Sequence, residues 1–301
     1  MKNTLKRWVY SCKSILSNTV TGVGLFWLFV EIASYSTNGQ IDVFTKSILF
    51  FLIGFFVIII IALIKNKPKT VFTYQLRDKD NVIEVKVGDA FKNYGSLVIP
   101  INDHFDVSLG GNVKKATSLQ NKLISDYYSD KADHLANDIS KKIDMSKTHE
   151  IGTTIEVEQN KKTFYLLVNS KKKENNRVES TTEDFLLSLE KLWSYIALES
   201  GRNSVVTIPL INTNHGRVPN LNRSTAIKEI IRSYIEASKY LNVADKLIVS
   251  IHSNDLNKGS IELDEINEYL RFSCRHYRAI KFSQKPEGKG ISASAVESLN
   301  N

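Results

Sequence analysis

Three short stretches carry most of the polar residues that could hold a ligand. Val85 to Ala90 reads VKVGDA, Ile99 to Val113 reads IPINDHFDVSLGGNV, and Ile208 to Arg217 reads IPLINTNHGR. In each, a β-branched apolar run ends abruptly in acids, amides or glycines. The first offers Asp89 followed by Ala90. The second offers Asn102 and Asp103 beside His104, then Gly110, Gly111, Asn112 and Val113. The third offers Asn212, Thr213, Asn214, His215, Gly216 and Arg217. A carboxylate accepts from an exocyclic amine, and backbone N–H groups in tight turns wrap phosphates, so the three together suit a nucleotide. Taken singly, each is ordinary: a Gly-Gly pair is a common turn and an Asp after a strand a common helix cap.

Other chemistries find less support. His104 and His215 have no HxxxH or HxH spacing and no cysteine pair beside them, so no metal site is expected. No nucleophile-and-base arrangement stands out, and no catalytic residue is assigned. Cys12 and Cys274 lie at opposite ends of the chain and form neither a disulfide framework nor a metal cluster. Two free thiols fit a cytosolic folded portion.

The elements that must position these residues begin at Val71. Strands are expected over Val71–Leu76, Val82–Val87, Leu97–Ile101, Thr153–Val157, Phe164–Val168, Val205–Leu210 and Leu247–Ile251. Helical spacing covers Ser118–Tyr128, Asp130–Ile143, Glu183–Glu199, Ser224–Leu241 and Ile261–Phe272. Runs such as LVIPI and VVTIPL are apolar on both faces and belong inside a sheet covered on both sides. The expected class is therefore α/β, a three-layer α/β/α sandwich around a mostly parallel or mixed sheet. In such sheets, ligands sit beyond the carboxyl ends of the strands, where all three polar stretches fall.

Ahead of this domain lie two apolar segments. Ser47 to Ile64 is 18 residues without a charge, enough at a helical rise of about 1.5 Å per residue to cross the hydrocarbon of a bilayer. Ile15 to Ser34 is a weaker span, interrupted by Ser, Thr, Asn and Glu31, and an amphipathic interfacial helix is its alternative. Lys2, Lys6, Arg7 and Lys13 precede the pair, Lys65, Lys67 and Lys69 follow it, and the connector Tyr35–Asp42 has no Lys or Arg. The positive-inside rule then places both termini in the cytoplasm and the short turn outside, in a multi-pass membrane protein. Glu31 and Lys46 fall at similar depth near the outer surface, as an ion pair, as snorkelling side chains, or lining a polar path in an oligomer.

Charge distribution argues against nucleic acid as a partner. Of the net +8, residues 1–70 carry +6, leaving +2 on the folded domain that would have to contact phosphates. The expected organisation is residues 1–14 as a cytoplasmic N-terminus, 15–64 as a transmembrane hairpin, 65–70 as a short stiff linker, 71–285 as the nucleotide-sensing domain and 286–301 as a flexible tail. Lys171–Asn176, KKKENN, reads as a solvated loop.

The order VKVGDA, LVIPIND, LGGNV, PLINTNHG, SIHSND resembles a macro domain, the ADP-ribose-binding fold, over about Val71 to Phe282. Two spans joined to such a domain are similar to the membrane-bound effectors of the Thoeris antiphage defence system. The resemblance implies that Asp89 contacts adenine and Asn102 the distal ribose. It also makes Gly110–Val113 and Asn212–Gly216 the two phosphate loops, and places Asn254 in the SIHSND segment at the same rim. It implies a nucleotide-derived second messenger, histidine-ADP-ribose made by a TIR-domain partner, and no bound cofactor. Its outcome would be assembly into a homo-oligomer that damages the lipid bilayer. This chain departs from the family pattern: Ile99 replaces an asparagine, Asn112 a glycine, and Asn212-Thr213-Asn214 a Gly-x-Gly. Those losses favour a sensor over a hydrolase, with a membrane-anchored ADP-ribosyl hydrolase as the alternative.

Overall fold

The computed structural model describes residues 2–38, 40, 47–66, 69–107, 118–174, 177–200, 203–211, 218, 221–257 and 261–278; for 2–14 and 203 it describes the backbone only. Two long helices come first, α1 (Lys2–Ser36) and α2 (Ile48–Lys65). They pack antiparallel: Asn18 donates to the Asn66 side chain at 3.3 Å, and the Trp27 and Phe51 rings stack at 5.7 Å. Both are long and apolar enough to cross a membrane. The helix runs on N-terminal to the expected span, with no break before Lys2. Lys46, the expected partner in depth of Glu31, lies outside the described residues.

The domain is built on β1 (Val71–Gln75), β2 (Val82–Val87), β3 (Ser96–Asn102), β4 (Thr154–Gln159), β5 (Lys162–Lys172), β6 (Val178–Glu179), β7 (Asn203–Pro209) and β8 (Ala244–Ile251). Their order across the sheet is β1-β2-β8-β7-β3-β5-β4, with the short β6 pairing β5. The five central strands, β2, β8, β7, β3 and β5, are mutually parallel. The outer β1 and β4 are antiparallel to their neighbours, so the sheet is mixed as expected.

The helices are α3 (Leu119–Tyr127), α4 (Ala132–Ser140), α5 (Thr182–Leu198), α6 (Arg223–Tyr240), α7 (Ser253–Asn257) and α8 (Leu263–Arg275). Their starts are written locally. Ser118 accepts from the Asn121 amide, Asn222 from the Thr225 amide, and Thr181 with Asp184 forms a reciprocal capping box. The apolar faces of α5, α6 and α8 cover one side of the sheet, with Trp193 and Tyr234 meeting edge to face at 5.5 Å. On the other side α3 and α4 cover Leu97, Ile99, Ile101, Phe164, Leu166 and Val168. LVIPI is thus buried from both sides, as its composition requires.

Two features differ from expectation. KKKENN is not a loop throughout: Lys171 and Lys172 finish β5 and pair with β6, because Asp184, Asp106 and Glu179 neutralise Lys171, Lys172 and Lys173 in turn. Between β2 and β3 the chain passes over β8 and β7 through a single 3-10 turn, Ala90–Lys92. It re-enters at Gly95, φ +79, where an added Cβ would lie 2.4 Å from the Val205 carbonyl oxygen. Only glycine fits that approach.

Candidate functional site

Because β2, β8, β7, β3 and β5 are parallel, their carboxyl ends share one rim. Along it lie Gly88-Asp89 after β2, His252 after β8, Leu210 and Ile211 after β7, and Asn102, the last residue of β3, with Asp103 after it. The rim thus brings together Asp89, Ala90, Asn102, Asp103 and Asn254, while Gly110, Gly111, Asn112 and Val113, and Asn212, Thr213, Asn214, His215, Gly216 and Arg217, lie outside the described residues. The flanks of both loops are anchored: Val107, Ile211 and Val218 are buried, and Ser118 caps α3.

At the β2 end, the Gly88 amide donates to the Ile251 carbonyl at 2.9 Å and the Ser250 hydroxyl donates to the Gly88 carbonyl at 3.2 Å. Asp89 is thereby fixed beside the end of β8. One of its carboxylate oxygens accepts from the Phe91 amide at 3.1 Å, capping the 3-10 turn, and the other accepts from the Lys122 ammonium on α3. That ammonium also lies 5.1 Å from the centre of the Phe91 ring. Partial burial pushes the Asp89 carboxyl up. The Lys122 bond and charge and the Phe91 amide outweigh it, holding the group below the usual carboxylate range. Ala90 is buried and offers only backbone. A Cβ built on Gly88 would meet nothing nearer than the Lys86 Cε at 4.0 Å, so neighbouring side chains do not require a glycine there.

The β3 end is used differently. The Asn102 side-chain oxygen accepts from the His104 amide at 3.0 Å and the Asp106 amide at 3.1 Å, closing a turn that fixes the side chain at the strand end. Asp103 is turned into the protein at 5% exposure. Its carboxylate accepts from the Lys172 amide at 2.8 Å and contacts the His104 ring at 2.9 Å, while its amide donates to Ser170 and its carbonyl accepts from His149. Expected to face a ligand, Asp103 instead ties β3 to β5. Beyond it a cleft of about 440 Å³ opens, lined by His104, Asp106, Val107, Asp133, Met145 and Lys172.

Three residues of the rim escaped the sequence reading. His252 directly follows β8, and its Nδ1 accepts from the Asn254 amide at 3.2 Å, so Nε2 carries the proton and is the donor offered outward. Asn254 itself is exposed on α7. Its signal was present in SIHSND, where the histidine directly abuts the apolar run. Lys122 had none, being one lysine on a helix. Arg223 begins α6 and meets Asp255 of α7 at 3.3 Å, both side chains 9% exposed. An arginine at a helix N-terminus opposes the dipole, and Asp255 offsets it. The pair ties the exit of the segment after β7 to the segment after β8. Among the described residues no group of three or more His, Cys, Asp or Glu is arranged to hold a metal.

A mixed sheet with five parallel central strands and helices on both faces is the fold of a macro domain. The model of the family described as Thoeris protein ThsA, macro domain, matches residues 83–252, more than half of the chain, and the chain belongs to that family. No curated protein matches the chain. Among solved structures, a mutant Oceanobacillus iheyensis macrodomain is 14% identical over 68% of this chain and 97% of its own, TM-score 0.45. The same macrodomain with ADP is 15% identical over 66% and 99%, TM-score 0.39. The macro domain of ganglioside induced differentiation associated protein 2 is 14% identical over 57% and 78%, also at 0.39. These likenesses assign no role to any residue here.

Proposed function

We propose that the chain is an antiphage defence effector whose macro domain binds an ADP-ribose-derived signal and whose two N-terminal helices, set in the inner membrane with both termini cytoplasmic, assemble and disrupt the bilayer in response, ending in abortive infection. The signal is histidine-ADP-ribose supplied by a TIR-domain partner. The observation that carries the reading is Asp89: an ionised carboxylate at the shared rim, flanked by His252, on a domain joined within a few residues to two helices of membrane-crossing length. Asp89 accepts from the adenine amine, and the His252 ring lies against the same end of the ligand. The NH2 group of Asn102 meets the distal ribose, and the segments 110–113 and 212–217 wrap the diphosphate between them. Asn214 or His215 reads the group beyond the ribose.

Binding drives assembly only by as much as the ligand prefers the assembled state; a hundredfold preference shifts the equilibrium by about 2.8 kcal/mol. The test is calorimetry of the full chain in lipid nanodiscs with ADP-ribose and with its histidine adduct. The adduct is expected to bind more tightly, and Asp89→Ala to weaken both by at least about tenfold, or 1.4 kcal/mol, with the hairpin still inserted. Equal affinity in Asp89→Ala would falsify the placement of the base.

A second reading rests on the Asp103–His104 contact, which orients an imidazole beside Asn102. A histidine so held could move a proton, as an ADP-ribosyl hydrolase requires. Steady turnover of ADP-ribosylated protein, abolished in His104→Ala, would establish it; ligand-dependent dye leakage from vesicles without turnover supports the effector.

A further inference from the structure

The helical hairpin is joined to the domain at two places, and both lie at the Asp89 end of the rim. The first is the chain itself. Strand β1 runs antiparallel to β2 and so starts beside the carboxyl end of β2: Val71 pairs with Lys86, and the Val87 amide donates to the Thr70 carbonyl at 2.8 Å. Thr70 is five residues beyond Lys65, where α2 ends, at most about 18 Å of chain. The second is α1. Asn18 bonds to Asn66 at the foot of the hairpin, and from there α1 continues without a break to Lys2, about 24 Å further at a helical rise of about 1.5 Å per residue. Toward Ser36 it runs with α2 away from the domain, so it is the N-terminal end of α1 that lies beside α7, the short helix directly after His252.

The two attachments are adjacent and tied to each other. β2 and β8 are neighbouring strands, and at their ends the Gly88 amide donates to the Ile251 carbonyl and the Ser250 hydroxyl to the Gly88 carbonyl. α7 is held in turn by Asp255, which meets Arg223 at the start of α6. Asp89 thus stands two residues past the Val87 anchor, and His252 immediately before α7. A hairpin fixed at one point swivels about its linker; fixed at two, on neighbouring strand ends, it turns with them. A ligand that favours one arrangement of those ends biases the helices by the same free energy. We infer that the Asp89–His252 end of the site is where occupancy is passed to the membrane, with α1 docked on α7 as the transmitting arm and the linker as its second support. The inference rests on the function proposed above and names how that site is read out.

Cross-linking the full chain in lipid vesicles tests the contact, and dye leakage tests its use. Cys274 is buried and can stay, and Cys12 is replaced by serine. Ser253→Cys, at an exposed residue outside the ligand contacts assigned above, is then paired with a single cysteine at each position of α1 from 4 to 16. Without ligand, a short bismaleimide is expected to join a subset of positions recurring every three or four residues, at least about fivefold above the rest. Inserting Gly-Gly-Ser on the membrane side of the last joined position is expected to leave calorimetric binding of ADP-ribose within about twofold, and to cut leakage triggered by its histidine adduct about tenfold, because a flexible break uncouples the arm. Closing the cross-link is expected to preserve that leakage. The absence of preferred positions, or undiminished leakage after the insertion, overturns the proposal. Leakage without ligand after the insertion also overturns it, since α1 would then restrain the hairpin and not drive it. An unaltered chain that binds neither compound, or binds without leaking, refutes the effector reading and the transmission with it, while the cross-links still decide whether α1 is docked on α7.

Discussion

The two ends of the rim hold similar residues and spend them in opposite ways. After β2, Asp89 is tied to one backbone amide and to Lys122, a partly exposed side chain, so a ligand can take the second oxygen without disturbing the fold. After β3, Asp103 is buried and bonded to the β5 backbone, and Asn102 gives its oxygen to two amides of its own loop. Polarity at a strand end is therefore not availability. What separates a recognition group from a structural one is whether its partner is main chain or a side chain free to leave.

Substitution at Asp103 should break this contrast most severely. Asp103→Ala strips the Lys172 amide of its acceptor and the His104 ring of its carboxylate. Leaving such groups unsatisfied costs about 1–3 kcal/mol each, so urea denaturation should show the stability of the domain falling by roughly that order. A loss below about 0.5 kcal/mol would show that Asp103 is not structural and restore it as a ligand residue.

Asp89→Asn should give the complementary result. The amide oxygen still caps the 3-10 turn, so stability should move little, whereas calorimetry with ADP-ribose should show about a tenfold loss, near 1.4 kcal/mol. The pH dependence follows from the lowered carboxyl. A group held below its unfolded value stabilises the native state fully above the ordinary carboxylate range and loses that contribution as pH falls through its lower folded value. Recognition of an amine by Asp89 should therefore persist undiminished from pH 7 to about pH 5 and fade only below about pH 4. A midpoint near neutrality would mean that Asp89 is not the controlling group.

Much of this arrangement was legible, and the part that was not has a definite cause. The apolar runs LVIPI and VVTIPL announced central strands, and a sheet of that kind puts Asp89 and Asn102 at one rim. The inward turn of Asp103 was not legible because it depends on register. Ile101 pairs with Val168 but Asn102 pairs with Ser170, so β5 holds one extra residue, Asn169, at that step. Such a bulge re-aims the side chains beyond it, and nothing within IPINDHF records what β5 does opposite. His252 was legible in SIHSND, where it directly follows the apolar run of β8. Lys122 reaches Asp89 only through the packing of α3 on β3, a tertiary fact with no local signature.

Lys122 supplies the smallest and most discriminating test. Its pair with Asp89 is partly exposed on both sides, and such pairs contribute about 0–1 kcal/mol, so Lys122→Met should leave stability nearly unchanged. Its effect on recognition has a sign. The ammonium is one of the groups holding the Asp89 carboxyl low, so its removal lets that carboxyl rise toward the ordinary range and moves the acid limb of binding to higher pH. It also vacates the oxygen that the ligand must take. At pH 7, where Asp89 stays ionised in either case, ADP-ribose should bind Lys122→Met as well as or up to about fivefold better than the unaltered chain, a gain within the 1 kcal/mol that the broken pair can return. Weaker binding at pH 7 would mean that Lys122 itself touches the ligand, making the β2 end a two-residue recognition site rather than a single carboxylate held in reserve.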